Sequence, residues 1–244
     1  MRLKLDSPKI FADIIGIISD LVTEVKLKVD SKGLYLNAID PANVAMTYFK
    51  LPSDLFSEFE VDSAKTEILG INLDNLKSVL RRCKPGSTLT ISKESAFLKL
   101  TIQDRIKREF SLALIEVDSE EKPMPEWEFS SVIKMNSESF VEVIEDSLVV
   151  SDACTFIASP DSFIVEAHGI NSSKAEFSTD EIEIHSGNST ARYSLEYINK
   201  FIKGAKISSK VTLSFSDSHP MRLDFLTGNV ILSFVLAPRI EQDD

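Results

Sequence analysis

The sequence is poor in the residues that mark fibrous, disordered or disulfide-rich proteins. Its 244 residues include only eight glycines, nine prolines, two cysteines and one tryptophan. So few glycines and prolines argue against a fibrous or disordered chain. Cys83 and Cys154 are far apart and lie in apolar contexts, which favours buried thiols over a disulfide or a metal site. No apolar run approaches the ~20 residues of a membrane helix.

Signals for export and for catalysis are also missing from the sequence. The N-terminus has no apolar region followed by a cleavage site, so we expect an intracellular protein without a membrane partner. Glycine-rich phosphate loops and nucleophile elbows are absent, and the three histidines, His168, His185 and His219, match no zinc-ligand spacing. We therefore expect no enzyme activity, no catalytic residue, no metal and no cofactor.

The charge balance is acidic, with 27 basic and 38 acidic residues and a net charge of −11. A nucleic-acid-binding domain is usually basic, so the total argues against a simple binder of this kind. The total hides the distribution, however, and a local basic face can bind phosphates on a protein that is acidic overall.

The chain contains an internal repeat. When Phe11 is aligned with Phe140, apolar positions match over 28 residues without a gap, as in Ile15 with Ile144 and Leu27 with Phe156. Each copy has apolar residues at helical spacing, followed by two alternating stretches around a turn. The sequence therefore predicts one helix and two strands at the start of each half.

A second pair of matching segments follows at an offset of 122 residues. Segments 73–80 and 195–202 both place apolar residues at i, i+3, i+6 and i+7, the stripe of a helix lying on a core. Two strands are predicted after each of them. Each half is therefore predicted to be a two-helix unit with antiparallel strands, and the predicted fold class is α+β.

The boundary between the halves is marked by composition. We place an N-terminal domain at 1–116, an acidic connector with two prolines at 117–127, and a C-terminal domain at 128–244. The outer strands of such a repeated unit stay unpaired unless another copy covers them. This predicts head-to-tail contacts between copies that close into a ring.

Three segments on this framework carry a family resemblance: Asp-Pro-Ala-Asn-Val-Ala-Met at 40–46, Gly-Ile-Asn-Leu at 70–73 and Leu-Ala-Pro-Arg-Ile at 236–240. With them, the whole chain resembles the proliferating cell nuclear antigen (PCNA) family of DNA sliding clamps, archaeal type. The resemblance implies the DNA-clamp, or processivity, fold. It also implies a trimeric pseudo-sixfold ring, of this chain or of paralogous subunits, that encircles duplex DNA without sequence specificity. In a prokaryote the ring would work in the cytoplasm or nucleoid, and in a eukaryote in the nucleus.

The resemblance implies that the second helix of each half faces the hole of the ring. The basic residues of these helices lie off the apolar stripe and would meet phosphates loosely, as sliding requires. The predicted DNA-facing residues are Lys77, Arg81, Arg82, Lys84, Lys200, Lys203 and Lys206. An ordinary solvated basic face is the alternative interpretation.

The other two helices depart from the family pattern. Where lysines are frequent, the first helix has Ala12, Asp13 and Ser19, and the third has Glu142 and Glu145. Carboxylates facing phosphates would repel them. The basic lining is therefore expected mainly on two helices of each subunit, which leaves open a ring built from different subunits.

Clamps of this family bind short partner peptides, the PIP boxes, in an apolar groove. The implied partners are DNA polymerase, clamp loader, flap endonuclease and DNA ligase. The matching groove positions are Asn43, Val44, Met46, Met124, Pro125, Pro220, Met221, Val235, Ala237, Pro238 and Arg239. A surface with methionines suits several partners. The alternative is that Val44, Met46 and Val235 are plain core residues.

The subunit boundary implied by the resemblance pairs strand 107–113 with strand 174–178 of a neighbour. Both alternate polar and apolar residues, as edge strands with one buried face should. The interface residues are Lys107, Arg108, Phe110, Lys174 and Phe177. A rival hypothesis is a duplicated α+β enzyme or small-molecule-binding domain without a DNA role. Basic second helices in both halves favour the clamp.

Overall fold

A computed structural model describes residues 1–118 and 122–240. Part of the predicted connector, residues 119–121, lies outside this description. The chain forms two compact units, and each takes in short segments from the other half of the sequence. The first unit comprises Met1–Pro41, Thr47–Met124 and Gly228–Ile231, and the second comprises Ala42–Met46, Pro125–Thr227 and Leu232–Asp244.

Up to residue 118, the described part of the first half contains nine strands and two α-helices. Its two antiparallel strand groups run in the orders β5-β1-β7-β8-β9 and β6-β2-β3-β4. A short 3-10 helix, Ser53–Leu55, precedes β5. The elements are β1 (Arg2–Leu5), α1 (Lys9–Ile18), β2 (Glu24–Asp30), β3 (Gly33–Ile39), β4 (Ala45–Pro52), β5 (Glu58–Glu60), β6 (Glu67–Asn72), α2 (Leu73–Leu80), β7 (Thr88–Glu94), β8 (Phe97–Gln103) and β9 (Lys107–Ala113).

The second half repeats this arrangement element by element. Its strand groups run in the orders β14-β10-β16-β17-β18 and β15-β11-β12-β13, which match the first half strand for strand. The predicted duplication and the α+β class are therefore confirmed. The elements are β10 (Ser131–Asn136), α3 (Ser137–Leu148), β11 (Ala153–Ala158), β12 (Ser162–His168), β13 (Ser172–Ser178), β14 (Glu183–Ser186), β15 (Ser189–Ser194), α4 (Leu195–Phe201), β16 (Lys210–Phe215), β17 (Met221–Thr227) and β18 (Val230–Leu236).

Each unit has its own core, built from the apolar positions that the repeat aligns. Phe11 of α1 is 1% exposed, and its counterpart Phe140 of α3 is fully buried. In the second unit Phe156 of β11 lies at the centre of an aromatic cluster, with ring centroids 5.4 Å from Phe163 and 5.9 Å from Phe215. Each such side chain contributes about 1.5–3 kcal/mol by burial. Phe156→Ala would cost about 3–5 kcal/mol, because a cavity would remain.

The beginnings of two helices are fixed by asparagine caps. The Asn72 side chain accepts a hydrogen bond from the backbone N–H of Asn75 at 3.0 Å. The Asn136 side chain accepts from the N–H groups of Glu138 at 2.8 Å and Ser139 at 3.3 Å. These bonds satisfy donors that have no partner inside the helix, and they explain why α2 and α3 start where they do.

The chain leaves β9 along the surface of β6. Ile115 donates a backbone hydrogen bond to Gly70 at 3.0 Å. A Cβ atom at position 70 would lie 1.9 Å from the Ile115 carbonyl oxygen, so only glycine fits this close approach. The Asn37 amide donates to the carbonyl of Lys122. The residue Ile115, just before the connector, and Lys122 within it are therefore both held to the first unit.

Candidate functional site

The basic residues of the first unit cluster at the end of α2 rather than along it. Lys77 lies within α2, Arg81 caps its C-terminus, and Arg82 and Lys84 follow in a turn. The prediction that the helix itself carries all four is therefore wrong. The chain tightens after Leu80 through i to i−3 hydrogen bonds, and Pro85 cannot continue a helix.

Exposure separates these four residues. Arg81, Arg82 and Lys84 are exposed, whereas the Lys77 ammonium lies 3.2 Å from a carboxylate oxygen of Asp20, with the two side chains 20% and 30% exposed. Part of the Lys77 charge is thus neutralised inside the chain. The three cations at the helix end also complement the negative end of the helix dipole.

The corresponding residues of the second unit show the same tightening. Helix α4 ends at Phe201, so Lys203 and Lys206 lie on the following 3-10 helix, Ile202–Lys206. The Lys200 ammonium lies 3.4 Å from a carboxylate oxygen of Glu196 and 5.2 Å from the centroid of the Tyr197 ring. Both units therefore present lysine or arginine around the end of their second helix. The prediction of a longer fourth helix is corrected in the same way as for α2.

The third helix exposes an acidic face. Glu138, Glu142, Glu145 and Asp146 are all exposed. Their spacing of i, i+4, i+7 and i+8 places them along one side of α3, opposite the buried Phe140 and Ile144. The acidic residues of α3 and the basic residues at the end of α4 are therefore exposed on the same unit.

Two segments of the predicted groove meet in the second unit. The backbone N–H of Ala237 donates to the Val44 carbonyl at 2.9 Å. Further along the tail, the N–H of Arg239 donates to the Arg192 carbonyl at 2.7 Å. The Arg239 guanidinium lies 3.0 Å from the Asp152 carboxylate. The tail after β18 is therefore held in an extended path beside Val44.

The predicted groove residues differ in burial. Asn43, Val44 and Arg239 are exposed, and the half-buried members are Met46, Pro125, Pro220, Ala237 and Pro238. Met221 is 1% exposed and Val235 is 5% exposed, so these two are core residues. A peptide on the surface could not touch these two side chains directly, because they are buried. Met124 is half-buried and is the last residue of the first unit's central segment.

An aromatic cluster that the sequence did not indicate joins two further groove segments. The Trp127 and His219 ring centroids are 4.9 Å apart and nearly perpendicular. Phe129 completes the cluster at 6.0 Å from both rings. This contact packs the segment that carries Pro125 against the loop that carries Pro220. The available signal was the single tryptophan of the chain, two residues beyond Pro125.

The predicted interface strands stand at the ends of their strand orders. Within the described residues, β9 pairs only with β8 and β13 pairs only with β12. Exposed and half-buried residues alternate along both strands. Their backbones therefore offer unpaired hydrogen-bonding groups to another strand.

The side chains of the two edges are anchored inside the chain. Phe177 of β13 stacks on Phe163, with ring centroids 6.2 Å apart. Lys174 lies 3.4 Å from Glu166. On β9, Phe110 is half-buried, and Arg108 donates to the Arg82 carbonyl at 3.2 Å. Lys107 lies 2.6 Å from Glu109, and its hydrogen bond lowers the pKa of that carboxyl group.

The described residues hold no group of three or more His, Cys, Asp or Glu side chains that could bind a metal ion. Burial raises the pKa of the Cys154 thiol to about 12, and it also raises the pKa of Cys83. Both thiols are therefore neutral and poorly nucleophilic near pH 7. Among the helices described, none combines the length and the apolar character that a membrane crossing demands.

Comparison with known proteins agrees with the duplicated fold. Residues 1–121 match the model of the PCNA N-terminal domain, and residues 123–240 match that of the C-terminal domain. The chain is 34% identical to the DNA polymerase sliding clamp of Thermococcus gammatolerans and 33% identical to that of Pyrococcus furiosus, each over 97% of both chains. A crystal structure of PCNA from Entamoeba histolytica superimposes with a TM-score of 0.91 at 22% identity, covering 98% of both chains.

Two domain matches span nearly the whole chain, and relatives above 30% identity cover 97% of it. The resemblance read from the three sequence segments is thereby confirmed, and so is the clamp fold. The chain belongs to the proliferating cell nuclear antigen family of DNA sliding clamps.

Proposed function

We propose that this chain acts as a DNA sliding clamp, a closed ring around duplex DNA that tethers DNA polymerase and other enzymes and has no reaction of its own. The observation that carries the proposal is the strand-for-strand duplication together with the edges that it leaves at β9 and β13. Such a chain has two complementary ends, and head-to-tail pairing of those ends gives a ring when the rotation closes.

The repeat itself supports the pairing of β9 with β13. β9 takes the place in the first half that β18 takes in the second, and β13 corresponds in the same way to β4. Ala237, just after β18, donates to Val44, just before β4. The same relation between β9 of one copy and β13 of the next would join copies of this chain, or this chain and paralogues. Three chains would give six units of the same fold.

The DNA-facing surface that we propose is the basic cluster at the ends of α2 and α4. The exposed Arg81, Arg82 and Lys84 supply it in the first unit, and Lys203 and Lys206 supply it in the second. Repeated around a ring, these cations would meet phosphates on all sides. Phosphate contacts carry no sequence information, which suits a protein that slides. A clamp bound to DNA works in the nucleoid of a prokaryote or the nucleus of a eukaryote.

The partner site that we propose is the surface of the second unit around Val44, Pro125, Pro220 and the tail at Ala237–Arg239. A tail that lies beside the exposed Val44 and half-buried prolines suits a short peptide that adds backbone hydrogen bonds and inserts apolar anchors. DNA polymerase, clamp loader, flap endonuclease and DNA ligase would share this site.

Light scattering coupled to size-exclusion chromatography tests the assembly. We expect a mass three times the 27.2 kDa of the chain, alone or with related subunits present. A chain that stays at 27.2 kDa in every mixture with its paralogues would contradict the ring.

A further inference from the structure

The exposed cations that follow α2 lie on an open turn between α2 and β7. Gly86 has a φ of 82°, a left-handed conformation that glycine adopts without strain. The N–H of Ser87 donates to the Lys84 carbonyl at 2.9 Å, and the Ser87 hydroxyl accepts from the N–H of Lys84 at 2.9 Å. These bonds close the turn on itself. The contacts that hold the turn to the rest of the unit come from another segment.

The segment that holds the turn is the hairpin between β8 and β9. The buried Ser87 hydroxyl donates to the Asp104 carboxylate at 3.4 Å. The Arg108 guanidinium pairs with the same carboxylate, and it also donates to the Arg82 carbonyl at 3.2 Å. The N–H of Ile106 donates to the other oxygen of Asp104 at 2.9 Å. The pair of Asp104 and Arg108, the brace, therefore contacts the turn at both of its ends.

The brace is charged, and stability alone does not explain it. The backbone hydrogen bond from Ile106 lowers the pKa of the Asp104 carboxyl group, and the Arg108 guanidinium lowers it further. The Nε atom of Arg108 is buried and has no hydrogen-bond partner within the described residues. A buried donor without a partner destabilises a folded chain. The contacts with the turn give the guanidinium a reason to lie here.

The equivalent segment of the second unit is held in a different way. The 3-10 helix Ile202–Lys206 continues α4, and the N–H of Ile207 donates to the Gly204 carbonyl at 2.8 Å. A Cβ atom at position 204 would lie 2.4 Å from the Phe225 ring, so this segment packs closely on the core of its unit. The first unit has an open turn in this place, and an ion pair with hydrogen bonds holds it.

We propose that Asp104 and Arg108 are positioning residues for DNA binding, which hold the turn so that the exposed Arg82 and Lys84 face the phosphates. The proposal rests on the DNA-facing surface of the proposed function. It gives Arg108 a role within its own chain, in addition to the subunit boundary that its sequence position predicts. Without the brace the two cations would sample many orientations, and each phosphate contact would cost more conformational entropy.

Asp104→Asn distinguishes positioning from simple electrostatics, because the two effects have opposite signs. Removal of a carboxylate beside the basic turn makes the surface more positive, so electrostatics alone predict longer residence on DNA. Loss of the brace predicts shorter residence. After loading of the full chain on a nicked circular plasmid, we expect Asp104→Asn to shorten residence about threefold at low salt. Glu94→Gln, an exposed carboxylate at the other end of β7 that pairs with Lys99, is the matched control and should not shorten residence.

Further variants test whether the brace acts through the two cations. Arg108→Lys keeps the charge but cannot make both contacts of the guanidinium, so it should act like Asp104→Asn. Asp104→Glu keeps the acceptor and should retain part of the residence. In a chain that already has Arg82→Gln and Lys84→Gln, Asp104→Asn should cause no further shortening, because the cations that it positions are gone. A purely structural role would shorten residence equally in both chains. Thermal unfolding verifies that each variant is folded.

Light scattering separates this role from a role in the subunit boundary. The mass of Asp104→Asn should equal that of the wild-type assembly, and a lower mass would place the effect at the boundary and overturn the proposal. Unchanged or longer residence of Asp104→Asn, or equal shortening in the chain without the two cations, would also overturn it and leave the clamp function intact. If the wild-type chain is not retained on the circular plasmid, the proposed function fails, and this inference fails with it.

Discussion

The two halves of the chain are the same fold with different surfaces. β1 to β9 and β10 to β18 follow the same strand orders, and α1 and α3 bury equivalent aromatic residues, Phe11 and Phe140. The exposed sides differ at the first helix of each half: α3 shows Glu142 and Glu145, whereas the aligned positions of α1 are Asp13, which pairs with Lys9, and Gly16. The buried positions therefore keep the apolar character of the repeat, whereas the exposed positions differ between the halves.

The largest effect on assembly is expected at the two edge strands, β9 in the first half and β13 in the second. Phe110→Glu on β9 places a charge in the proposed boundary, so the ring should dissociate and the mass should fall to about one third, since an unpaired buried charge is costly. Light scattering measures this. Leu226→Glu, at a 52% exposed site on β17 away from an edge, is the control and should leave the assembly unchanged. A variant ring that stays intact would show that β9 is not the boundary.

The second effect concerns the basic helix ends. Charge reversal of Arg81 and Arg82 to Glu, or of Lys203 and Lys206 to Glu, should shorten residence on DNA about tenfold at low salt. Retention on a nicked circular plasmid measures it, and the loss should shrink as salt screens the charges. Lys77→Gln should have a smaller effect, because Asp20 already pairs with Lys77. Equal effects for Lys77 and Arg81 would contradict the assignment of the exposed face.

Neutralising the acidic face of α3 should have the opposite effect on residence time. If α3 faces DNA, Glu142→Gln with Glu145→Gln should lengthen residence on the plasmid severalfold, because repulsion of phosphates is removed. The matched pair Glu24→Gln with Glu60→Gln changes exposed carboxylates on strands and should have no effect. If the residence time on the plasmid did not increase at low salt, α3 would not face the DNA.

The two asparagine caps test whether the halves are stabilised alike. Asn72→Ala and Asn136→Ala should each lower the free energy of unfolding by about 1 kcal/mol, because each leaves helix N–H groups without a partner. Ser194→Ala is the control, since the Ser194 side chain makes no cap hydrogen bond to α4. Urea unfolding measures all three. A cost for Ser194→Ala equal to that of the asparagines would refute the explanation.

The smallest expected effect is a difference in reactivity between the two cysteine thiols. Cys83 is half-buried and Cys154 is buried, with a pKa of about 12. A thiol-specific reagent at pH 8 should modify Cys83 first, and Cys154 only after unfolding. Because folding raises the pKa of Cys154 above its ordinary value of 9.0, its contribution to stability is complete below pH 9 and is lost as the pH rises toward 12. Rapid modification of Cys154 in the folded chain would contradict its burial.

Periodicity in the sequence predicted the duplicated α+β fold because the core constrains it. Apolar residues at matching offsets located α1, α3 and the strands after them, and these positions are buried in both units. Helix ends were harder to predict. The apolar stripe of α2 ends at Leu80, and a charged residue beyond it can lie on a helix or in a turn with the same sequence pattern.

The candidate site was predicted less well than the fold, because it depends on contacts between distant residues. Met221 and Val235 matched the family groove by position, yet both are buried. The contact of Trp127 with His219 spans 92 positions in sequence, and neither residue belongs to a local motif. The pairing of Lys77 with Asp20 likewise depends on how α2 packs beside the end of α1.

Topological linkage to DNA tests the ring most directly. The chain, alone or mixed with its paralogues, is loaded by its clamp loader on a nicked circular plasmid, and retention is measured at high salt before and after a single cut of the plasmid. A ring should stay on the circle and leave the linear DNA from its ends, because it is held by closure and not by strong contacts. Equal loss from circular and linear DNA would contradict the account.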